Sequence, residues 1–348
     1  MIRVGILGIG FMGMIHYLAY QRVKGVQVSA IVSRSEKKLA GDWTGIKGNF
    51  GPPGGMMDLG SIDRYKTLEQ LVADNNIDLV DVCLPPSLHA DSCIRALKAG
   101  KHVLCEKPIS LTIVDADRMV EAAKRTKRLL MIGQVLPFFP EYDFVRKHHE
   151  QRTYGGLIGG FFKRIISDPI WLSDYYDPQT SGGPLIDLHI HDAHFIRLLF
   201  GMPGKVFSCG RIRGDVVGFA ATQFIFPSEE SLLVAATSGV IAQQGRTFHQ
   251  AFEVYFEDAT LFYDFYNLAE NPHAATPLTV LSSEGSVEQP ELGSTDPLSA
   301  FVAELQEAAL TVERGEPSLL LDGVLARDAL LICHRQSESV RTGQVVNI

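Results

Sequence analysis

Residues 187–194, DLHIHDAH, bring three histidines and two aspartates to the start of a stretch that otherwise has the pattern of a buried helix. On one continuous helix, at about 100° per residue, Asp187, His191 and His194 would lie on one face and His189 on nearly the opposite one. An imidazole with an ordinary pKa of about 6.5 suits general-base chemistry near neutral pH. We therefore treat Asp187, His191 and His194 as candidates for proton transfer, and His189 as a structural histidine.

A dinucleotide site is indicated near the N-terminal end of the sequence. Gly8, Gly10 and Gly13 form GxGxxG directly after a strand-like run and at the start of a helical pattern. Such glycines allow a tight turn and a close approach of the backbone to a pyrophosphate, which the N–H groups of the helix N-terminus can bind. The position of the motif in a βαβ pattern predicts cofactor contacts at Gly8, Gly10, Phe11, Met12 and Gly13.

The end of the second predicted strand bears on the choice between NAD and NADP. In NAD-binding domains an acidic residue at this point accepts hydrogen bonds from the adenosine ribose. This sequence has Ser33, Arg34 and Ser35 instead. Because a guanidinium suits a phosphate, the pattern favours NADP over NAD, with Ser33 and Arg34 as contacts. Arg34 stacked on the adenine, or simply exposed to solvent, is the alternative.

The histidines and aspartates have a second interpretation, as ligands of zinc. With a nicotinamide site predicted in the same chain, we expect no metal there. Just upstream, WLSDYYDP (171–178) offers Trp171, Asp174, Tyr175 and Tyr176 to stack on and hydrogen-bond a polyhydroxylated ring. Packing in a core is the alternative for each of these aromatic side chains.

The elements that must position these residues follow two different patterns. In the first third of the chain, runs rich in Val, Ile and Leu alternate with amphipathic helical segments. This alternation predicts a doubly wound parallel sheet of the Rossmann type, in an α/β fold. The apolar runs are residues 3–10, 26–33, 77–85, 102–108 and 129–135.

From about residue 135 the strands become longer and alternate in polarity. They are joined by tight turns such as PSEE (227–230) and EDAT (257–260), which predicts a large, mostly antiparallel sheet in an α+β domain. We expect a dinucleotide-binding domain at 1–133, a substrate and oligomerisation domain at 134–321, and a C-terminal helix and tail at 322–348.

One segment interrupts the rhythm of the first domain. Residues 45–60, GIKGNFGPPGGMMDLG, are rich in glycine and proline where a short loop would suffice. A surface insertion is the preferred interpretation, and a lid over the site is the alternative.

Composition and charge exclude several classes of protein. The 348-residue chain has a net charge of −8 and no basic block, whereas a nucleic-acid surface needs clustered Lys and Arg. No apolar run reaches the roughly 18 residues of a membrane helix, and the N-terminus runs directly into a strand-like segment. We therefore expect a cytoplasmic protein with no membrane or nucleic-acid partner. The five cysteines form no CxxC pair and are expected to be reduced.

Taken together, the motifs resemble a known family. They are GxGxxG, PPSLH (85–89), GKHVLCEKP (100–108), SGGPLIDLHIHD (181–192) and a closing helix of the form DG...S...TG. In this order, and over essentially the whole chain, they resemble the Gfo/Idh/MocA family of glucose–fructose oxidoreductase and inositol dehydrogenase relatives. The resemblance implies a nucleotide domain followed by a domain whose open sheet is used for subunit contacts, and hence a homodimer or homotetramer.

The resemblance also implies catalytic roles. The lysine of the EKP motif, matched by Lys107, lies near the nicotinamide and hydrogen-bonds the reacting oxygen, and its peptide bond to proline is often cis. A desolvated ammonium can stabilise a developing alkoxide. In the D-x-x-x-H motif, matched by Asp187 and His191, the histidine exchanges the hydroxyl proton and the aspartate assists it or binds substrate. Further cofactor contacts are expected at Pro85, His89, Glu106 and Lys107.

The sequence departs from the family pattern in three places. His194 stands where an aspartate is common, and Leu84 begins the turn that is usually Thr-Pro-Asn. After the last Rossmann strand, Gln134 and Pro137 replace the frequent Asn and Arg. These changes leave the substrate open. The expected substrate contacts are Gln134, Trp171, Asp174 and His194.

The resemblance implies an NAD(P)-dependent oxidoreductase that transfers a hydride between the nicotinamide and a hydroxyl or keto group of a sugar, polyol or sugar derivative. An NAD-dependent glycoside hydrolase of the same fold is one alternative. A sugar- or nucleotide-sensing protein without turnover is another. The combination of Lys107, Asp187 and His191 favours an enzyme, since a protein that only binds has no need of all three.

Overall fold

The computed structural model describes residues 1–48, 50–227, 232–269, 271–293 and 296–348. Contacts divide the chain into two compact units. The first comprises Met1–Phe138 and Ser294–Arg327, and the second comprises Phe139–Gly293 and Asp328–Ile348. The two chain segments of each unit are therefore separated in sequence, which the predicted domains at 1–133, 134–321 and 322–348 do not anticipate.

The strands alternate with helices in the first part of the chain and follow one another in the second. They are β1 (Ile2–Leu7), β2 (Val26–Val32), β3 (Asp63–Tyr65), β4 (Leu79–Val82), β5 (His102–Glu106), β6 (Leu130–Gly133), β7 (Leu157–Ser167), β8 (Lys205–Arg213), β9 (Val216–Ile225), β10 (Leu233–Ile241), β11 (Phe248–Phe256), β12 (Ala259–Leu268), β13 (Asn271–Ser282), β14 (Val287–Glu288) and β15 (Val346–Asn347).

The α-helices vary from a single turn to five turns. They are α1 (Phe11–Tyr20), α2 (Glu36–Leu39), α3 (Leu68–Ala73), α4 (His89–Lys98), α5 (Ile113–Thr126), α6 (Pro140–Glu150), α7 (Pro184–Asp187), α8 (Ile190–Phe200), α9 (Ser299–Arg314) and α10 (Gly323–Thr342). As its last turn predicts, α10 ends before Gly343, which has a φ of 68°.

The first unit contains a six-stranded parallel sheet in the order β3-β2-β1-β4-β5-β6. This is the doubly wound arrangement that the sequence predicts, and each of the five predicted strands is present. The sequence pattern missed β3, because its three residues, DRY, are polar and lie at the sheet edge. All the carboxyl ends of these strands meet at one edge, where α/β proteins bind ligands.

The helix α9 belongs to the first unit although it comes late in the chain. Its apolar side buries Phe301, Leu305 and Ala308 in the core that also contains Met14 and Ile15 of α1. The free energy gained by burying this apolar stripe exceeds the entropy cost of closing a long loop, because that cost grows slowly with loop length. This explains why residues 296–327 belong to the first unit, although the predicted second domain at 134–321 includes most of them.

The glycine-rich insertion is packed rather than free. Ile46 and Leu59 are buried in the core of the first unit, and the ring of Phe50 stacks on that of Phe301 at 5.3 Å. Gly48 lies so close to the Phe11 ring that a Cβ there would collide with it. Most described residues of the segment are nevertheless exposed, which agrees with a surface insertion that is anchored to the core at these points. Asn49, within the same segment, lies outside the described residues.

The second unit contains a nine-stranded sheet in the order β14-β13-β12-β11-β7-β10-β9-β8-β15. Among the described residues, β7 and β10 are the one pair of neighbouring strands in this sheet that run parallel, so the sheet is mostly antiparallel, as predicted. The turn at EDAT joins β11 to β12, whereas Ser228–Glu230 of the predicted PSEE turn lie outside the described residues. The pattern missed β13 because Pro272 and Pro277 are atypical of a strand interior.

One face of this sheet is covered by helices and the other is open. On the covered face, Thr222 accepts a hydrogen bond from Gln336 of α10, and the Ser208 N–H donates to Ser339 of the same helix. On the opposite face, apolar side chains are exposed to solvent. They are Phe161, Phe207, Ile225 and Leu233.

Among the described residues, no helix combines the length and the apolar character needed to cross a bilayer. All five cysteines are free thiols, and four of them are buried. Cys209 is exposed.

Candidate active site

The glycine turn after β1 has the geometry that a dinucleotide requires. Gly8 has a φ of 103°, and a Cβ on it would lie 2.7 Å from the Cys83 carbonyl oxygen. A Cβ on Gly13 would lie 2.0 Å from the Gly8 carbonyl oxygen. Around Gly10, by contrast, no heavy atom of the described chain lies within 4 Å of a Cβ position. Two glycines are thus required by packing, and the third faces open space.

The start of α1 is available to an anion. Gly10 is the N-cap residue and, being glycine, has no side chain that could cap the helix. The side chains of Phe11 and Met12 pack against the core. These residues would therefore contact a cofactor through their backbone N–H groups. The cradle that a Cβ would fill, together with these donors, fits the pyrophosphate of a dinucleotide.

Basic side chains gather beside this turn at the end of β2. Arg34 is exposed, and Ser33 is half-buried with its hydroxyl accepting the Ser35 N–H at 3.2 Å. The ammonium of Lys38 donates to the Ile9 carbonyl inside the glycine turn, at 2.6 Å. Lys38 was not among the residues predicted from the sequence. Its position three residues after the N-cap residue Ser35, in the first turn of α2, is the feature that could have identified it.

The EKP motif ends β5. Lys107 is half-buried, and the Lys107–Pro108 peptide bond is cis, as the resemblance implies. The Glu106 carboxylate is turned into the first unit, with one oxygen 2.9 Å from His16 Nε2 and the other accepting the Lys107 N–H at 3.1 Å. The expectation that Glu106 contacts the cofactor is therefore corrected, since both carboxylate oxygens are engaged inside the domain.

His89 also differs from its expected role as a cofactor contact. The ring is fully buried, with Nδ1 2.8 Å from the Pro108 carbonyl oxygen and Nε2 2.7 Å from that of Leu84. Burial lowers the pKa of His89, while the hydrogen bonds to the two carbonyls act in the opposite direction. The ring thus ties the turn after β4 to the turn after β5.

Two further predicted residues of the first unit lie after strand ends. Pro85 follows β4 and is exposed. Gln134 follows β6 and is fully buried, and among the described residues neither polar atom of its side-chain amide has a hydrogen-bond partner. A buried amide in this state is a group that a ligand or water commonly satisfies.

In the second unit, residues 184–200 do not form one helix. The turn of α7 ends at Asp187, Leu188 and His189 form a break, and α8 begins at Ile190. The continuous helix that the sequence predicts through Asp187, His191 and His194 is therefore interrupted between the first of these residues and the other two. Within α8, His191 and His194 are three residues apart and share a face.

Two members of the cluster are structural. Asp192 is buried and forms a two-pronged ion pair with Arg164 of β7, at 2.8 Å to Nε and 3.1 Å to NH2. His189 is buried with Nε2 3.0 Å from the Gln336 side-chain nitrogen of α10. These contacts fasten the start of α8 to the sheet and to α10, and they agree with the structural interpretation of His189.

The other three residues of the cluster differ in their exposure to solvent. Asp187 and His191 are half-buried, whereas His194 is 1% exposed. Tyr175 is buried nearby, where burial and the charge of Asp187 raise the pKa of its hydroxyl well above the ordinary value. Tyr175 was one of several aromatic candidates in the sequence. The spacing of these residues along the chain did not predict that Tyr175 lies close to Asp187.

Trp171 and Asp174 lie in the turn-rich stretch before α7. Trp171 is 66% exposed, so the alternative of core packing does not apply to it. Asp174 is exposed and accepts a hydrogen bond from Ser173 at 2.8 Å.

Known proteins similar to this chain are consistent with these features. The myo-inositol 2-dehydrogenase of Thermotoga maritima is 32% identical over 217 residues, covering 61% of this chain and 59% of that protein. An NADP(+) scyllo-inositol 2-dehydrogenase of Bacillus subtilis is 25% identical over 211 residues, covering 59% of this chain and 60% of that protein. The chain thus spans about three fifths of the length of these curated relatives.

Solved structures share the fold over nearly the whole chain. An aldose–aldose oxidoreductase from Caulobacter crescentus, complexed with glycerol, has a TM-score of 0.79 at 21% identity and covers 100% of this chain and 99% of its own. An oxidoreductase from Agrobacterium radiobacter, in complex with NAD+, L-tartaric acid and magnesium, has a TM-score of 0.80 at 18% identity, covering 99% and 98%.

Two family models match successive parts of the chain. Residues 2–134 match the oxidoreductase family with an NAD-binding Rossmann fold, and residues 164–262 match the GFO/IDH/MocA C-terminal domain. Together they account for the parallel sheet with its glycine turn and for most of the antiparallel sheet. The chain therefore belongs to the Gfo/Idh/MocA family of oxidoreductases.

Proposed function

We propose that this protein is an NAD(P)-dependent dehydrogenase or reductase that acts on a CH–OH or keto group of a sugar, polyol or inositol-like ring. The observation that carries the proposal is the glycine cradle at the start of α1, in a chain that also has Lys107 directly after β5. The relatives named as inositol dehydrogenases support the substrate class.

The chain's own residues would divide the chemistry. Bound nicotinamide would accept or donate the hydride. Lys107, half-buried, would stabilise negative charge on the reacting oxygen, where a preorganised cation is most effective. His191 would exchange the hydroxyl proton, and Asp187 would assist it or bind substrate.

The preference between cofactors is proposed to favour NADP. Arg34 is exposed at the end of β2, and the charge of the neighbouring Glu36 is paired with Lys66. Lys38 adds a second cation beside the glycine turn. An adenosine 2′-phosphate would meet positive rather than negative charge at this point.

Substrate contacts are proposed at four positions. Gln134 has an amide whose polar atoms are buried without a described partner, and Trp171 offers an exposed ring for stacking on a sugar. Asp174 and His194 complete the set, with His194 in the place where the family commonly has an aspartate. The different charge at that position is a reason to test charged as well as neutral sugars.

A panel of sugars, polyols and their keto forms, tested with both cofactors, would identify the reaction. Lys107→Met and His191→Asn are expected to bind the dinucleotide almost normally, because the glycine turn holds it. Their rates of hydride transfer should fall by about 10² to 10⁴, the usual worth of acid–base assistance. Single-turnover absorbance of the nicotinamide measures this step.

The matched controls are Lys98→Met and His273→Asn, which remove an exposed lysine and an exposed histidine. Both should turn over at the parental rate. Near-parental rates in Lys107→Met or His191→Asn would refute the catalytic roles and favour a binding protein. Glycoside cleavage without net NADH would favour the hydrolase instead. In the double variant, a loss far smaller than the product of the single losses is expected if both residues act on one step.

A further inference from the structure

A second group of ionisable side chains is buried inside the first unit. His16 of α1, Asp81 of β4 and Glu304 of α9 are 0% exposed, and Glu106 of β5 is 7% exposed. Burying so many charged or chargeable groups is costly unless they satisfy one another. None of these side chains is among the cofactor contacts described above, and Glu106 alone is next to a residue with a proposed catalytic role, Lys107.

The strand register explains why the two strand carboxylates face the same way. Asp81 of β4 pairs with Leu104 of β5, and Glu106 lies two residues beyond Leu104. Residues two apart on a strand point to the same face of a sheet. His16 lies three residues after Gly13, about one helical turn into α1, on the buried side of that helix. The spacing from the glycine turn therefore brings an imidazole over two neighbouring carboxylates.

Each ring nitrogen of His16 faces a different carboxylate. Nδ1 is hydrogen-bonded to Asp81 Oδ2 at 2.8 Å, whereas Nε2 lies 2.9 Å from Glu106 Oε1, an ion-pair distance without hydrogen-bond alignment. A neutral imidazole would leave two buried carboxylates close together without a balancing cation. The imidazolium supplies that positive charge between them. Burial is the largest single influence and lowers the pKa of His16, but the charge and hydrogen bond of Asp81, together with the contact to Cys83, raise that pKa well above the ordinary value.

The second oxygen of Glu106 connects this pair of contacts to Lys107. Glu106 Oε2 accepts the main-chain N–H of Lys107 at 3.1 Å, while Oε1 faces His16. We propose that His16 is a positioning residue which, as an imidazolium held between Asp81 and Glu106, fixes the Glu106 carboxylate and through it the main chain of Lys107. The functional consequence rests on the proposed role of Lys107 in hydride transfer.

The neighbouring groups leave His16 as the cation of the cluster. Burial, together with the charges of Glu106 and Asp81, raises the pKa of Glu304 well above its ordinary value, which favours the neutral carboxyl. Burial and the charge of Asp81 also raise the pKa values of the Tyr20 hydroxyl and of the Cys83 thiol. Both remain protonated near neutral pH. In the proposed arrangement, one imidazolium lies between two carboxylates and is bordered by acids that favour their neutral forms.

A metal ion is the competing occupant. Donor atoms of His16, Asp81 and Cys83 all lie within 4.8 Å of one another. A metal ligand must be deprotonated, however, and the pKa of the Cys83 thiol is raised. The short contact between His16 Nδ1 and Asp81 Oδ2 also joins two would-be ligands directly. We therefore take the imidazolium as the group that balances the carboxylates, and metal analysis decides between the two.

The first experiment measures the charge of His16 on cofactor-free protein. The ¹⁵N chemical shifts of labelled histidine, assigned with His16→Gln, are expected to show both ring nitrogens protonated at pH 7. His102, whose Nδ1 accepts the Leu129 N–H at 3.2 Å and whose pKa burial lowers, serves as the neutral comparison in the same unit. A neutral His16, or about one metal ion per chain in protein purified without added metal, would overturn the proposal.

The second experiment is a double-mutant cycle of His16→Gln and Glu106→Gln. We expect His16→Gln to lower kcat about 5- to 100-fold, the range of direct side-chain coupling, with little change in the KM for the dinucleotide. Amide exchange at Lys107 should become faster in the same variant. In the Glu106→Gln background, His16→Gln should cost less than about twofold, because its effect passes through Glu106.

The control is Tyr17→Phe, which removes a hydrogen bond from the same helix to the Asp58 carbonyl. It tests for general loosening of α1, and its kcat and Lys107 exchange should match the parent. Equal losses from His16→Gln with and without Glu106→Gln would overturn the positioning role. Absence of hydride transfer in the parent would instead refute the proposed function, while the ¹⁵N shifts and amide exchange would still decide the state of His16.

Discussion

At the scale of residues, the proposed preference for NADP rests on the end of β2. Arg34 stands where an acidic residue would serve NAD, and Lys38 lies one turn further along the chain, beside the glycine turn. The first was evident from the sequence, since it directly follows the strand. The second depends on how α2 folds back, because Lys38 reaches the Ile9 carbonyl across the glycine turn.

We expect the parent protein to bind NADPH more tightly than NADH. Arg34→Ala should reduce that difference by about 1 to 3 kcal/mol, the worth of a charge-assisted hydrogen bond. Calorimetric titration with both cofactors measures the difference. Lys98→Ala, which removes an exposed cation from α4, is the control and should leave the preference unchanged. Equal affinities of the parent for the two cofactors would contradict this expectation.

At the scale of elements, the start of α8 is held by a buried ion pair. Arg164 of β7 and Asp192 of α8 have side chains 4% and 1% exposed. Arg164 also donates to Gln250 at 3.2 Å, so its charge is shared with a neighbouring strand. This arrangement explains why the histidine-rich stretch contains a second aspartate: Asp192 anchors the helix that carries His191 and His194.

Asp192→Asn is expected to lower the free energy of unfolding by about 3 to 5 kcal/mol, because it leaves a buried guanidinium without its counter-charge. Urea unfolding measures the change. The matched control is Glu338→Gln, which breaks an exposed ion pair with Arg335 on α10 and should cost less than about 1 kcal/mol. Similar small losses in both variants would show that the pair does not anchor α8.

At the scale of the whole molecule, the open face of the nine-stranded sheet is a candidate subunit interface. Phe161 and Phe207 lie in one row across the strands, linked by the paired residues Ala235 and Gln223. Ile225 and Leu233 lie two residues from that row and so share its face. Four exposed apolar side chains on one face form a patch of the kind that marks an interface.

We therefore expect a homodimer or homotetramer in solution. Light scattering at micromolar concentration should give a mass of at least twice the 38.3 kDa chain. Phe161→Glu combined with Leu233→Glu should shift the protein towards the monomer, because burying two carboxylates at an apolar interface is costly. Met56→Glu, which alters an exposed apolar residue of the first unit, should not. A monomeric parent would contradict the prediction.

The sequence by itself determined the class of each sheet and the position of the glycine turn. These follow from local signals: the period of the apolar residues, and glycines at places where a Cβ would collide with the backbone, as at Gly13. It also indicated Lys107, Asp187 and His191 as a set, through the order of their motifs.

Only the tertiary structure decided which polar residues of those motifs remain available for chemistry. Asp192, His89 and Glu106 have the same residue types as catalytic groups, yet Arg164, two backbone carbonyls and His16 engage them. The return of α9 to the first unit was equally invisible, since its apolar stripe could pack on either domain. Such contacts join residues far apart in the chain, and no local pattern specifies which distant partner a buried group will meet.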